Sequence, residues 1–161
     1  MAGNRSRYGF TLIELLAVTA IISLLSSIVL SQLSVARQKG SDAAKIQALQ
    51  QTMKALQLYA TDNGVYPAGS TNATLVSALT PKYIASIDPM IKYQSLNAAN
   101  TATCASNCLS YHIGIPLVRT DNIVLSFDKD LNLGAPDFDG TKDNCLSGTA
   151  SSPDLCYDMT P

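Results

Sequence analysis

The hydrophobic pattern of the chain changes character twice, near residue 37 and near residue 63. Residues 1–9 are polar and carry Arg5 and Arg7. From Phe10 to Leu30 the chain then runs with a single charge, Glu14. A helix built on that stretch is apolar on every side, which is the pattern of a membrane span rather than of a surface helix. Its length of about 30 Å matches one hydrocarbon core. After Ala36 the pattern becomes amphipathic. Ile46, Leu49, Met53, Leu56 and Ala60 recur at steps of three and four, with Lys45, Gln50, Gln51 and Lys54 between them. One helix from Phe10 to about Thr61 is therefore predicted, about 78 Å long at 1.5 Å per residue, with its outer half packed on a domain. Gly40 costs only about 1 kcal/mol in a helix and does not by itself end one. Asp62-Asn63-Gly64 and Pro67 supply the stop.

Beyond the helix the pattern predicts a short helix near 73–80 and three strands at about 91–96, 109–118 and 122–127. Arg119-Thr120-Asp121 reads as a tight hairpin joining the last two. Asn97 to Asn107 is a polar insertion, and Pro116 places the second strand at an edge or a bulge. The class is α+β, a long N-terminal helix packed on a small antiparallel sheet.

Charge sharpens this division. Residues 1–120 hold nine bases against four acids, whereas residues 121–161 hold eight acids against Lys129 and Lys142. Net charge is −1 and charged residues make up 14% of the chain, so no bulk basic field invites nucleic acid. Lys82, Lys92 and Arg119 are too scattered for a phosphate track. His112 is the only histidine, which excludes chemistry needing several, and its place in a predicted strand makes it a sheet side chain rather than a catalyst.

Glu14, the only glutamate, decides how the apolar block is read. A carboxylate costs roughly 2.5–3.5 kcal/mol at the centre of a membrane helix and less near its end. A secretory signal cut after Ser34-Val35-Ala36 would have a shorter apolar stretch without such a charge, and a plain anchor leaves Glu14 without a purpose. Gly9-Phe10-Thr11-Leu12-Ile13-Glu14-Leu15-Leu16 resembles the class III signal of type IV pilins and type II secretion pseudopilins. The resemblance implies cleavage after Gly9 by a prepilin peptidase, N-methylation of Phe10, and assembly in which Glu14 faces the N-terminal amine of a neighbouring subunit. A cationic amine and a carboxylate favour each other strongly in a low-dielectric bundle. Tyr59-Ala60-Thr61-Asp62-Asn63-Gly64-Val65-Tyr66-Pro67 is similar to the segment that follows the helix in major pseudopilins and many pilins. Leu75 to Leu79, Pro81, Tyr83, Ile84, Asp88 and Pro89 are similar to the family's loop leading into the sheet. Many pilins carry a Pro where this chain has Ser31, and there it melts part of the helix in the filament.

The expected organisation is a leader at 1–9, a transmembrane and filament-core half-helix at 10–36, an amphipathic half at 37–62 and an extracytoplasmic head at 63–161. Thr19, Ser23, Ser27 and Ser31 form a small-residue seam on which helices can approach, or else bond their own helix carbonyls. The resemblance implies a non-enzymatic structural subunit. It would sit as a single pass in the inner membrane, be handled by an inner-membrane assembly platform, and join a surface or periplasmic filament by self-assembly. A secretion or competence pseudopilin is the alternative, and a membrane-anchored extracytoplasmic binding module is the rival from another class. Asn72-Ala73-Thr74 matches a glycosylation sequon that is common by chance.

Four cysteines allow three pairings, and outside the membrane they read as two disulfides, with a zinc site as a rival. The local pairing, Cys104–Cys108 and Cys145–Cys156, is expected, the latter bounding a C-terminal loop of a kind many type IV pilins carry. Asp128, Asp130, Asn132, Asp137, Asp139 and Asp143 offer alternating oxygens of the sort calcium takes. Major pseudopilins bind calcium in their C-terminal loops, so the resemblance implies calcium as the one candidate cofactor. A solvated Asp-rich loop is the alternative.

Overall fold

In the computed structural model the described residues are 10–132, 138–141, 145 and 154–161, with the side chain of Ser31 excepted. The chain divides into two compact units, Met1–Arg37 and Gln38–Pro161. A single helix, α1, runs Leu12–Asn63 and passes through Gly40 without interruption. Its end follows from local chemistry. Gly64 adopts φ 76° and donates its N–H to the Ala60 carbonyl at 2.8 Å, so a left-handed residue closes the last turn.

In the first unit every large apolar side chain from Leu12 to Leu30 is exposed within the chain, and the helix is long and apolar enough to cross a membrane. In the second unit α1 is amphipathic. Leu49 and Leu56 are fully buried and Ala55 nearly so, with Ile46, Met53 and Tyr59 packed beside them. Each buried leucine contributes about 2 kcal/mol of hydrophobic stabilisation.

The sheet has three antiparallel strands in the order β1 (Lys92–Leu96), β2 (Ser110–Pro116), β3 (Cys156–Met159). Tyr93, Tyr111, Ile113, Ile115 and Tyr157 lie on the face that meets α1 and close the main core. A short helix, α2 (Asn72–Leu79), adds Leu75 and Leu79 to it. Thr71 caps α2 by accepting the Thr74 N–H. Asn72 is no exposed acceptor for sugar: its amide donates to the Asp88 and Ile91 carbonyls, both at 3.0 Å, and clamps the approach to β1.

Two features depart from the sequence reading. Residues 122–127 do not form the third strand. Asn122 accepts the Val124 N–H through its side chain and the Leu125 N–H through its carbonyl, so a 3-10 helix, Ile123–Ser126, forms there, and Arg119 to Asp121 is no hairpin. The third strand is instead the C-terminal Cys156–Met159, which pairs with β2 from Ile113↔Met159 to Pro116↔Cys156. That placement makes β2 the central strand, so Pro116 is not on an edge. It is tolerated because it is the last residue of the strand, where its missing N–H ends the ladder.

The join between α1 and the end of β2 is polar. Asp42 is 1% exposed and accepts the N–H groups of Val118 at 2.8 Å and Arg119 at 3.2 Å. Lys45 donates to the Pro116 carbonyl at 2.7 Å, taking up a group that the strand leaves free. Replacing Asp42 by Ala strips both amides of their acceptor and should cost about 1.5–3 kcal/mol. Chemical denaturation of the full chain in detergent measures this, and the loss should exceed that of an exposed control such as Lys54→Ala.

Candidate functional site

Two places carry chemistry, one in each unit. At the start of α1, Thr11 and Glu14 form a reciprocal cap. Glu14 Oε2 accepts the Thr11 N–H at 2.9 Å and the Thr11 hydroxyl at 2.7 Å, while Thr11 Oγ1 accepts the Glu14 N–H at 3.3 Å. The lone carboxylate of the apolar helix thus has a partner three residues away. The signal for it, a threonine followed three positions on by a glutamate at the head of an apolar run, is present in the sequence. Further along, Thr19, Ser23 and Ser27 donate their hydroxyls to the carbonyls of Leu16, Thr19 and Leu24, at 3.0, 2.8 and 2.8 Å. Ser26 does the same to Ile22. These helix-internal bonds remove the need for any polar partner outside.

In the second unit the acidic C-terminal segment is organised by Asp158, which is fully buried on β3. Its Oδ1 accepts the N–H groups of Lys129 at 3.2 Å and Asp130 at 3.0 Å, and its Oδ2 accepts that of Leu131 at 3.1 Å. Asp130 at φ 47° turns these successive amides toward one point, a backbone cradle for an anion that is here the chain's own carboxylate. On its other side Asp158 Oδ2 meets His112 Nε2, and both side chains are buried. Phe138 stacks on the His112 ring with centroids 3.9 Å apart. Gly114 makes room for this, since a Cβ there would lie 2.9 Å from the Phe138 ring. The Cys145–Cys156 disulfide lies beside Phe138 in a second small core.

Cys104 and Cys108 are also bonded to each other, so all four cysteines are disulfides and none is free for zinc.

Comparison with known proteins bears on the N-terminal site directly. Residues 4–30 match the family described as the prokaryotic N-terminal methylation motif. The chain is 38% identical over 73 residues to the type IV wide pilus major component PilA4 of Thermus thermophilus, covering 45% of this chain and 54% of that protein. It is 37% identical over 100 residues to the fimbrial protein EcpC of Eikenella corrodens, covering 61% of this chain and 63% of that one. Over these stretches the chain is similar to type IV pilus and fimbrial proteins. It spans a little over half the length of these curated relatives, and no solved structure matches it.

In the second unit the acidic residues are arranged differently from the sequence expectation. Asp128, Asp130 and Asp158 bring their carboxylates together, with oxygens within 4.8 Å of one another. Asn132 and Asp139, expected in the same set, are joined elsewhere. Asn132 donates its amide to Asp139 Oδ2 at 2.9 Å, and Asp139 Oδ1 accepts the Thr141 N–H and hydroxyl. Gly9, Asp137 and Asp143 lie outside the described residues. Asp158 was missed because it is twenty-eight residues beyond Asp130, and only the pairing of β3 with β2 places it there.

Calcium fits part of this set. Both Asp128 oxygens are shielded from solvent and have no hydrogen-bond donor among the described residues, as a cation ligand would require. Asp158 is already occupied by its amides and His112. Burial, then the neighbouring charges of Asp130, Asp158 and Asp154, push the Asp128 carboxyl up to about 7. Burial and a hydrogen bond with Asp130 push Asp154 up to about 7 as well.

These shifts fix the sign of a pH dependence. Unfolded, both carboxyls lose their protons near 3.8, whereas folded they hold them to about 7. The folded state therefore binds more protons between those limits. The stability that these two groups contribute is full below about pH 4, falls as pH rises toward 7 and then levels off. The thermal midpoint, measured with a chelator present, should be lower at pH 8 than at pH 5. Asp128→Asn should flatten that fall by raising the midpoint at pH 8.

Proposed function

We propose that the chain is a structural subunit of a type IV pilus. The observation that carries this is the N-terminal segment, where residues 4–30 match the methylation motif and Glu14 is the one charge between Phe10 and Leu30. The two pilus and fimbrial relatives favour a pilus over a secretion pseudopilus. In this reading a prepilin peptidase removes residues 1–9 and Phe10 becomes the N-methylated terminus. The apolar half-helix then holds the subunit in the inner membrane as a single pass until the assembly platform takes it up.

Self-assembly follows from what the first unit exposes. Its large apolar side chains from Leu12 to Leu30 have no cover within the chain, and the hydroxyls of Thr19, Ser23, Ser26 and Ser27 are bonded internally, so the helix can leave lipid for a bundle of like helices without stranding them. Thr19, Ser23, Ser27 and Ser31 would serve in close helix contact through their small size. Glu14 would exchange its Thr11 partner for the amine of Phe10 on a neighbouring subunit. The protein would be non-enzymatic, its heads facing outward.

In the head, calcium would be held by Asp128 and Asp130, beside Asp154 and Asp158. It would supply positive charge that relieves the mutual repulsion of these carboxylates. Calorimetric titration of the full chain at pH 8 should then give heat at millimolar calcium, and Asp128→Asn should remove it. No heat from the wild-type chain would reduce the cluster to a solvated acidic loop.

The assembly reading is tested on cells. Sheared surface material should contain the chain beginning at methylated Phe10, and Glu14→Ala should abolish it from that fraction while leaving the processed chain in the membrane. The processed chain confined to the membrane in the wild type would indicate a pseudopilin instead. An intact Met1 start would overturn filament assembly altogether.

A further inference from the structure

The sheet turns one face to α1, and its other face carries a row of buried polar groups. On that second face Gln94 of β1 stands opposite His112 of β2, and Ser110 lies two residues before His112 on the same strand. Gln94 and His112 are each 1% exposed and Ser110 is 4% exposed. His112 Nε2 is taken up by Asp158. Gln94 Oε1, Gln94 Nε2, Ser110 Oγ and His112 Nδ1 reach no hydrogen-bonding partner among the described residues.

Orphaned buried polar atoms are rare, and here four of them gather on three neighbouring side chains of one sheet face. They are also complementary in kind: an amide donor, an amide acceptor, a hydroxyl that both donates and accepts, and a ring nitrogen. None of them is bonded to another, yet they lie on one side of one strand pair. A small molecule that donates and accepts in equal measure answers all of them.

We propose that this face is a built internal hydration site, holding ordered water between Gln94, Ser110 and His112. Buried water typically makes about three hydrogen bonds to groups that would otherwise be unsatisfied, which is what these side chains offer. The site does more than fill space. Water on Nδ1 fixes the His112 ring from the side opposite Asp158, so the ring is held at both nitrogens. Asp158 is thereby kept facing the amides of residues 129–131. Gln94 is a positioning residue for the acidic segment although it touches none of it. The inference stands whether or not the chain assembles into a pilus.

The test uses the full chain in detergent micelles. Magnetisation transfer from water to the Gln94 side-chain amide protons, recorded in the rotating frame so that dipolar contact is separated from exchange, should show a water held longer than the tumbling time. Absence of that transfer overturns the proposal. Gln94→Met provides a second, independent reading, because it keeps the volume and removes both polar atoms. With water in place the variant leaves Ser110 and His112 short of a partner, and its thermal midpoint falls by several degrees. A dry face predicts the reverse, since the variant would then delete two orphaned atoms and melt higher. Should the variant fail to fold, the wild-type magnetisation transfer decides alone.

Discussion

Asp158 receives hydrogen bonds from three consecutive backbone amides and from a histidine, while standing on a strand whose neighbours hold it in register. Charge-assisted bonds to backbone amides are roughly twice as strong as neutral ones, and burial prevents water from competing for them. The order of the C-terminal segment depends on this carboxylate. Residues 129–131 take their path from it, Phe138 packs over its histidine, and Cys156 of the same strand carries the disulfide to Cys145. A segment so rich in aspartate has little apolar surface with which to fold unaided. An internal anion and a covalent bond replace the hydrophobic core it lacks.

The same arrangement explains why further carboxylates nearby are uncomfortable. Asp158 has its oxygens met by backbone amides, whereas Asp128 has shielded oxygens and no donor among the described residues. Burial, and after it the neighbouring charges of Asp130, Asp158 and Asp154, makes ionising Asp128 costly, which is why its proton is held to about pH 7. One fold thus contains a satisfied carboxylate and frustrated ones within a few ångströms. The frustrated ones are where a cation or a proton would act.

Helix α1 solves a different problem with the same backbone. Its first part is apolar on all sides and closes its polar groups internally, through Thr11 on Glu14 and through serine and threonine hydroxyls on carbonyls. Its second part buries one stripe, Leu49 to Leu56, and uses Asp42 and Lys45 to take up the loose amides and carbonyl at the end of β2. A lipid or helical environment suits the first, and a protein core suits the second. The boundary is set by where polar side chains begin to recur at helical spacing.

What was legible in the sequence was whatever short-range periodicity and local motifs specify. The long helix and its stop at Asn63-Gly64, the short helix, the first two strands and the methylation motif all depend on residues within a few positions of one another. The third strand was not legible, because residues 122–127 have strand-like composition but Asn122 captures the amides beyond it and winds a 3-10 turn. Cys156–Met159 is only four residues long, and it becomes a strand because β2 offers an unpaired edge and Tyr157 finds room in the core. The acidic cluster follows the same logic. Alternating aspartates at 128–132 could be seen, but the carboxylate that organises them comes from a distant strand, and sequence spacing carries no information about which groups a sheet will place side by side. Local propensity determined the helices and the first two strands, and tertiary pairing decided the third strand and the carboxylate around which residues 129–131 fold.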